Sequence, residues 1–489
     1  MKLFAPHDEV AALRAKVDSG CDDALPAVTL VWYLRQGAQA EVSQYSVRAR
    51  ELIRTLPATA QAPLTARLRL VKAEARWLEG ELAAAQVLAE QAAEAFSAAD
   101  DQLGVGDACW IMASIAHDRG DPPACHDCLD RAGAAYRQAG DVARQTALSA
   151  RQLWFLVFSD PLACRVALAE QFGRGGHPEP VTALWLDAVR AVVAEFVGDL
   201  GEAAGYFIRA YEGAMLTGQT GVAIQMATNA GDKFISLNDF AAALHWDECG
   251  LALARPTDWP ISLGRGLMQT GNALHALGRL DEAHSILSEA IAVLSPFGSA
   301  RTYAIALGYL GELALTLADY KAALNWFQQD EDCVVLLEQP DMLVGAWHGQ
   351  ARALAGLGRL AEAKSKAEAA WQLARDQANA EGQLMALRVL AALHRRPKPE
   401  QTNDQPADNA CLYYLEQALQ VAGAMSGHAK LALLYEELAA EYAQVGDYRR
   451  AYEFAVTASH TRLQQHSKEA QQRMLVGQIQ LHGEASHAW

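Results

Sequence analysis

The stretch from Leu267 to Ala290 reads LMQTGNALHALGRLDEAHSILSEA, and its spacing decides the fold. Leu267, Leu274 and Leu280 recur at helical spacing on either side of the turn Gly278-Arg279, which marks two amphipathic helices joined by a short break. Gly271, seven positions before the turn glycine, is small enough to let the two helices approach closely. Ala283 follows early in the second helix.

Moving outward by arithmetic, the same turn, with an apolar residue and then alanine three positions on, recurs along the chain. It appears at Gly80 with Ala85, Gly198 with Ala203, Asn238 with Ala243, Ala318 with Ala323, Gly358 with Ala363 and Gly446 with Ala451. The step is 40 residues from Gly198 to Gly358. Gly120 with Cys125, Asp160 with Cys164, Gln36 to Glu41 and Ala407 to Cys411 supply weaker copies. About eleven hairpins follow from this count. A small residue stands seven positions before nearly every turn, as at Ala73, Ala113, Ala191, Gly231, Gly311, Ala351 and Ala439.

These residues resemble the tetratricopeptide repeat, whose units carry a small residue in the first helix, a Gly-Asp-Tyr-like turn and an alanine early in the second. The period of 40 in place of 34 marks an extended variant. The resemblance implies an all-α superhelical solenoid, with residues 1–395 as the main array, 396–409 as a proline-rich loop, and 410–489 as terminal hairpins with a capping helix. The last helical stretch, Tyr452 to about Gly483, is poor in large apolar residues along its seam and is expected to cap the final repeat rather than form a coiled coil. Pro397, Pro399 and Pro406 forbid a continuous helix through the loop, which reads as a tolerated insertion.

Composition narrows the function. A formal net charge of -17 without a basic run disfavours nucleic acid. Met1 to Lys16 lacks an apolar signal region, and no stretch offers the roughly 20 apolar residues of a membrane helix, so a cytoplasmic protein with reduced thiols is expected. Cys125-His126-Asp127-Cys128 has metal-ligand residue types, but Cys125 and Cys164 fall in the alanine slot of their repeats and read as small buried residues. Gly173 to Gly176 lacks the lysine and hydroxyl residue of a phosphate loop. No catalytic motif, metal or cofactor is nominated, and the chain is expected not to be an enzyme.

In the tetratricopeptide family the first helix of each hairpin lines a concave face, and positions 13, 10, 9 and 6 before the turn point inward. Carried onto this chain, the resemblance nominates Gln225, Thr228, Asn229 and Asp232; Arg265, Met268, Gln269 and Asn272; Ile305, Gly308, Tyr309 and Glu312; and Gly345, His348, Gly349 and Arg352. His275 and Trp185 lie further along the same helices. Amide side chains such as those of Asn229 and Asn272 can bond both groups of an extended peptide backbone. The family's lysine-based clamp for C-terminal carboxylates is matched only by Arg265 and Asn272.

The expected function is a non-enzymatic scaffold or sensory adaptor that binds a protein or peptide between Gln225 and Arg352. Gly446 to Tyr452, leading on toward Gln480, is similar to the junction of bacterial sensor regions with diguanylate cyclase or histidine kinase output domains; none follows here, which implies a separate output partner. The alternative is the ligand-sensing arm of a peptide-responsive transcriptional regulator.

Overall fold

Most turns within the hairpins carry a left-handed residue just before the second helix. In the computed structural model, Gly80, Gly120, Gly198, Gly278, Gly358 and Gly446 have φ between 71° and 85°. Asn238 and Ala318 hold the same place at 54° and 57°. At Gly278 the amide donates to the His275 carbonyl, and the Arg279 amide donates to that of Leu274, both at 2.9 Å. This closes the first helix with the paired bonds that a left-handed residue permits. Aspartate commonly follows because it caps the next helix: Asp121 accepts from the Ala124 amide and Asp319 from that of Ala322, each at 3.0 Å. Matching left-handed turns at Asp100, Gly140, Gly218 and Ala378 join one hairpin to the next.

The structure describes residues 1–173, 175–297, 301–337, 339–395, 409–423 and 431–487. The proline-rich segment 396–408 lies outside them. The chain divides into two units: Met1–Gln269 with Leu475–Trp489, and Thr270–Met474.

In the first unit, α1 (His7–Asp18) precedes the hairpins α2/α3 (Ala24–Leu34, Gln39–Ile53), α4/α5 (Ala58–Leu78, Leu82–Ala98) and α6/α7 (Gln102–Asp118, Pro122–Ala139). These continue as α8/α9 (Val142–Ser159, Pro161–Phe172), α10/α11 (Pro180–Phe196, Leu200–Leu216) and α12/α13 (Thr220–Ser236, Phe240–Ala254). Helix α14 (Pro260–Ala276) runs across the division and leads into α15 (Leu280–Leu294). The second unit continues with α16/α17 (Arg301–Thr316, Tyr320–Leu336), α18/α19 (Pro340–Gly356, Leu360–Asp376), α20/α21 (Ala380–Leu393, Ala410–Gly423) and α22/α23 (Leu431–Gln444, Tyr448–His487). Eleven hairpins are thus present among the described residues. None of these helices is long and apolar enough to cross a membrane.

Helices pack mainly on their neighbours in the chain, and first helices of successive hairpins also touch, as α16 does α18 and α18 does α20. The small-residue slot explains the close pairing. A Cβ on Gly311 would come within 2.6 Å of the Phe327 ring, so that ring lies directly against the backbone of α16. The alanine slot is core: Ala85, Ala203, Ala243, Ala283, Ala323 and Ala363 are fully buried. Cys164 shares that slot and is as buried, and burial pushes its thiol up to about 11, far from the reactive thiolate range.

At Asp107, in the first unit, buried charge is matched by donors. Asp107, 0% exposed, accepts from Arg67 at 2.5 Å, Arg144 at 2.9 and 3.1 Å, and Tyr136 at 3.0 Å. Burial alone pushes its carboxyl up, but Arg144 and Arg67 outweigh it and hold the group below its ordinary range.

Candidate ligand-binding cavity

Three successive first helices, α16, α18 and α20, line a cavity of about 820 Å³ in the second unit, closed further by Glu437 of α22 and by Phe327 and Asp330 of α17. The 40-residue register places the lining. Ile305, Gly308, Tyr309 and Glu312 contribute from α16; Gly345, His348 and Arg352 from α18; and Met385, Arg388, Val389 and Ala392 from α20. The last four stand 40 residues after Gly345, His348, Gly349 and Arg352. Gly349 itself turns inward, because a Cβ there would lie 2.4 Å from the Phe327 ring.

The wall carries two Arg–Glu pairs. Arg352 donates to both carboxylate oxygens of Glu312 at 2.6 and 2.8 Å, and Arg388 donates to Glu437 at 2.6 and 3.2 Å. Each pair is partly open to solvent, which makes it a weak contributor to stability and an available hydrogen-bonding surface. Met342, Val344 and Met385 add apolar surface. A mainly preformed pocket with a few placed polar groups suits an organic ligand.

Asp330 sits at the floor. It is 6% exposed, and its Oδ1 has no hydrogen-bond partner. Burial, with Glu331 beside it, pushes its carboxyl up to about 7. Glu331 is different: its carboxylate receives Trp347 at 2.6 Å, Gln350 at 2.6 Å and Lys366 at 3.0 Å. Burial raises its pKa, but these donors win and its carboxyl lies below the ordinary glutamate range.

Of the residues nominated from sequence, Tyr309, Glu312, His348 and Arg352 come together in this cavity. Gln225, Asn229, Asp232, Arg265 and Gln269 belong to the first unit and do not line it. Asn272 and His275 are in the second unit but also stand apart from it. His275 engages Thr316 at 2.8 Å, and burial lowers its pKa. All eleven of these residues are half-buried, as expected of residues lining a face.

Three other nominees turn into the core. Thr228 bonds the Ile224 carbonyl of its own helix at 3.1 Å, Met268 is 4% exposed, and Trp185 packs edge-on against Trp110. Sequence reasoning missed Met385, Arg388, Glu437 and Asp330. The first two follow from carrying the 40-residue step one hairpin further, whereas Asp330 is on a second helix, outside the inward register.

No protein-family model matches the chain, and no curated protein does. Solved structures do. The apo form of the quorum sensor NprR from B. thuringiensis is similar over 75% of this chain and 99% of its own, with a TM-score of 0.54 at 13% identity. The fold is a tetratricopeptide-like solenoid. The apo form of RapI is similar over 73% of this chain and 96% of its own, with a TM-score of 0.51 at 9% identity. At these identities the likeness is one of fold.

Proposed function

We propose that the protein is a ligand-responsive regulator that acts by binding, not by catalysis, and receives a short peptide in the cavity of its second unit. The observation that carries this reading is the cavity itself: three consecutive hairpins present equivalent positions to one space of about 820 Å³. That is within the range of about 300–1,000 Å³ typical of ligand pockets. Its lining alternates apolar side chains with arginine, glutamate, histidine and asparagine, the mixture that grips a peptide by side chain and backbone. Likeness in fold to a quorum sensor supports a sensing role over that of a general scaffold.

Within this reading, the chain is the sensing arm of a signalling or transcriptional regulator in the cytoplasm. A second reading, an adaptor for a separate output protein, draws on α23. This helix runs unbroken from Tyr448 to His487 and leaves Tyr448, Tyr452 and Leu463 exposed.

The test is to pass a randomised, C-terminally amidated hexapeptide pool over the full chain and identify retained peptides by mass spectrometry, beside a duplex-DNA control. Retention of a restricted peptide set supports the sensing reading. If the chain retains no peptide, or retains DNA alone, that reading is wrong.

A further inference from the structure

The repeat supplies its own reference for Asp330. Seven residues after the anchor alanine, the second helices carry Ala92, Ala132, Ala210, Gly250, Ala290 and Ala370, and alanine again at 418 and 458. The short α9, with Gln171, and α3, which has no anchor alanine, also depart. The slot is small because it faces the first helix of its own hairpin: a Cβ on Gly250 would lie 3.2 Å from the Thr228 methyl.

In α16/α17 the sizes are exchanged. Gly308 stands where Thr228, Met268, His348 and Arg388 stand in other hairpins, and Asp330 fills the opposite slot. A Cβ on Gly308 would lie 3.6 Å from Asp330 Oδ2. Removing the side chain at 308 therefore leaves the carboxyl facing the cavity that both residues line.

A buried carboxyl without a donor is costly, and the protein contains a counter-example in Asp107, which has three donor side chains. Around Asp330 the local charges give no relief. The cavity holds four carboxyls, those of Glu312, Asp330, Glu381 and Glu437, against the guanidiniums of Arg352 and Arg388 and the imidazole of His348. Both guanidiniums are engaged by Glu312 and Glu437. Oδ2, the oxygen toward Gly308, is where a positively charged donor of a ligand entering the cavity would reach the carboxyl.

We propose that Asp330 is a specificity residue that receives an ammonium or guanidinium group of the ligand, so that the cavity selects peptides carrying a lysine, an arginine or a free amino terminus. This rests on the peptide-sensing reading above and adds the chemistry of the group that is recognised. An ion pair formed there is shielded from water by the apolar floor and is charge-assisted, which makes it a strong discriminator between cationic and neutral ligands.

The experiment uses the full chain and its Asp330→Asn variant, whose amide keeps the shape of the side chain and removes its capacity for charge. Each is exposed to two amidated hexapeptide pools, one with free and one with acetylated amino termini, and bound peptides are sequenced. With the acetylated pool, enrichment of lysine or arginine at one position by at least tenfold assigns the group to a side chain. Retention from the free pool alone assigns it to the amino terminus. In either case Asp330→Asn is expected to lose the preference while melting no lower than the parent at pH 8. Peptides retained without any cationic preference, or an unchanged preference in Asp330→Asn, overturn the proposal and leave the sensing reading intact. Failure of the parent to retain any peptide overturns both.

Discussion

Arg352 donates to both carboxylate oxygens of Glu312, at 2.6 and 2.8 Å, from a position 40 residues further along the chain. The two occupy the same place in consecutive repeats, so the repeat length is written into the contact itself. Arg67 and Asp107 are likewise 40 apart, and Arg151 reaches the Trp110 carbonyl across 41 residues. Burial separates these pairs in energy. Arg352 and Glu312 are each 38% exposed, whereas Asp107 is closed off completely.

Glu312→Gln is accordingly expected to cost less than about 1 kcal/mol of stability, as for other exposed ion pairs. Urea unfolding followed by circular dichroism measures this; a loss of 3 kcal/mol or more, as an order of magnitude for a buried pair, would place the pair in the core.

Asp107→Ala leaves Arg67, Arg144 and the Tyr136 hydroxyl without their shared acceptor in a buried site. The expected loss is about 3–5 kcal/mol in the first unit. The same urea titration reads it, and a loss under about 1 kcal/mol would mean that water reaches the network.

Ala318 adopts the left-handed conformation that glycine holds at the equivalent turns, with φ of 57°. A side chain there costs roughly 1 kcal/mol. Ala318→Gly is expected to raise the stability of the second unit by about 0.5–1 kcal/mol, despite the greater freedom of glycine in the unfolded chain. A lower melting temperature would contradict this.

The repeat, its hairpin count and the turn positions were legible in the sequence because a left-handed residue and a cap both demand particular side chains. Gly278 and Asp319 are such cases. The inward register was legible in part. It located Tyr309, Glu312, His348 and Arg352, yet it spread the site over α12 and α14, where Gln225 and Arg265 lie away from the cavity. A helix face gives direction, not the depth of the space in front of it. Turns between hairpins at Asp100, Gly140, Gly218 and Ala378 were missed because the signature of an apolar residue and then alanine three positions on does not follow them. Asp330 was missed because second helices were read only for their anchor alanines.

Buried carboxyls shape the response to pH. Asp330 has its carboxyl pushed up to about 7 from an ordinary value of 3.8, and Asp247, in the first unit, is also raised by burial and by the neighbouring Asp232 and Glu248. Between these two values the unfolded chain has lost the Asp330 proton while the folded chain keeps it. The contribution of Asp330 to stability therefore falls as pH rises from about 4 to about 7 and levels off above. For Asp330 the change is at most about 4 kcal/mol, taking 1.36 kcal/mol per unit. Asp330→Asn should remove this contribution, so that the variant exceeds the parent in stability at pH 8 and matches it near pH 4. Equal stability of the two proteins at pH 8 would show that Asp330 is ordinary.

The central claim, that the cavity of the second unit is the ligand site, is tested most directly at Gly345. It is exposed on the cavity wall of α18, and a Cβ there meets nothing within 4 Å. Gly345→Leu thus projects a side chain into the cavity without disturbing the packing, and replacing a helical glycine adds up to about 1 kcal/mol of stability. Isothermal titration of the hexapeptide most enriched by the parent protein should give at least a tenfold weaker affinity for Gly345→Leu, with an unchanged or higher melting temperature. Undiminished affinity in a folded Gly345→Leu would contradict the assignment and place the ligand elsewhere on the protein.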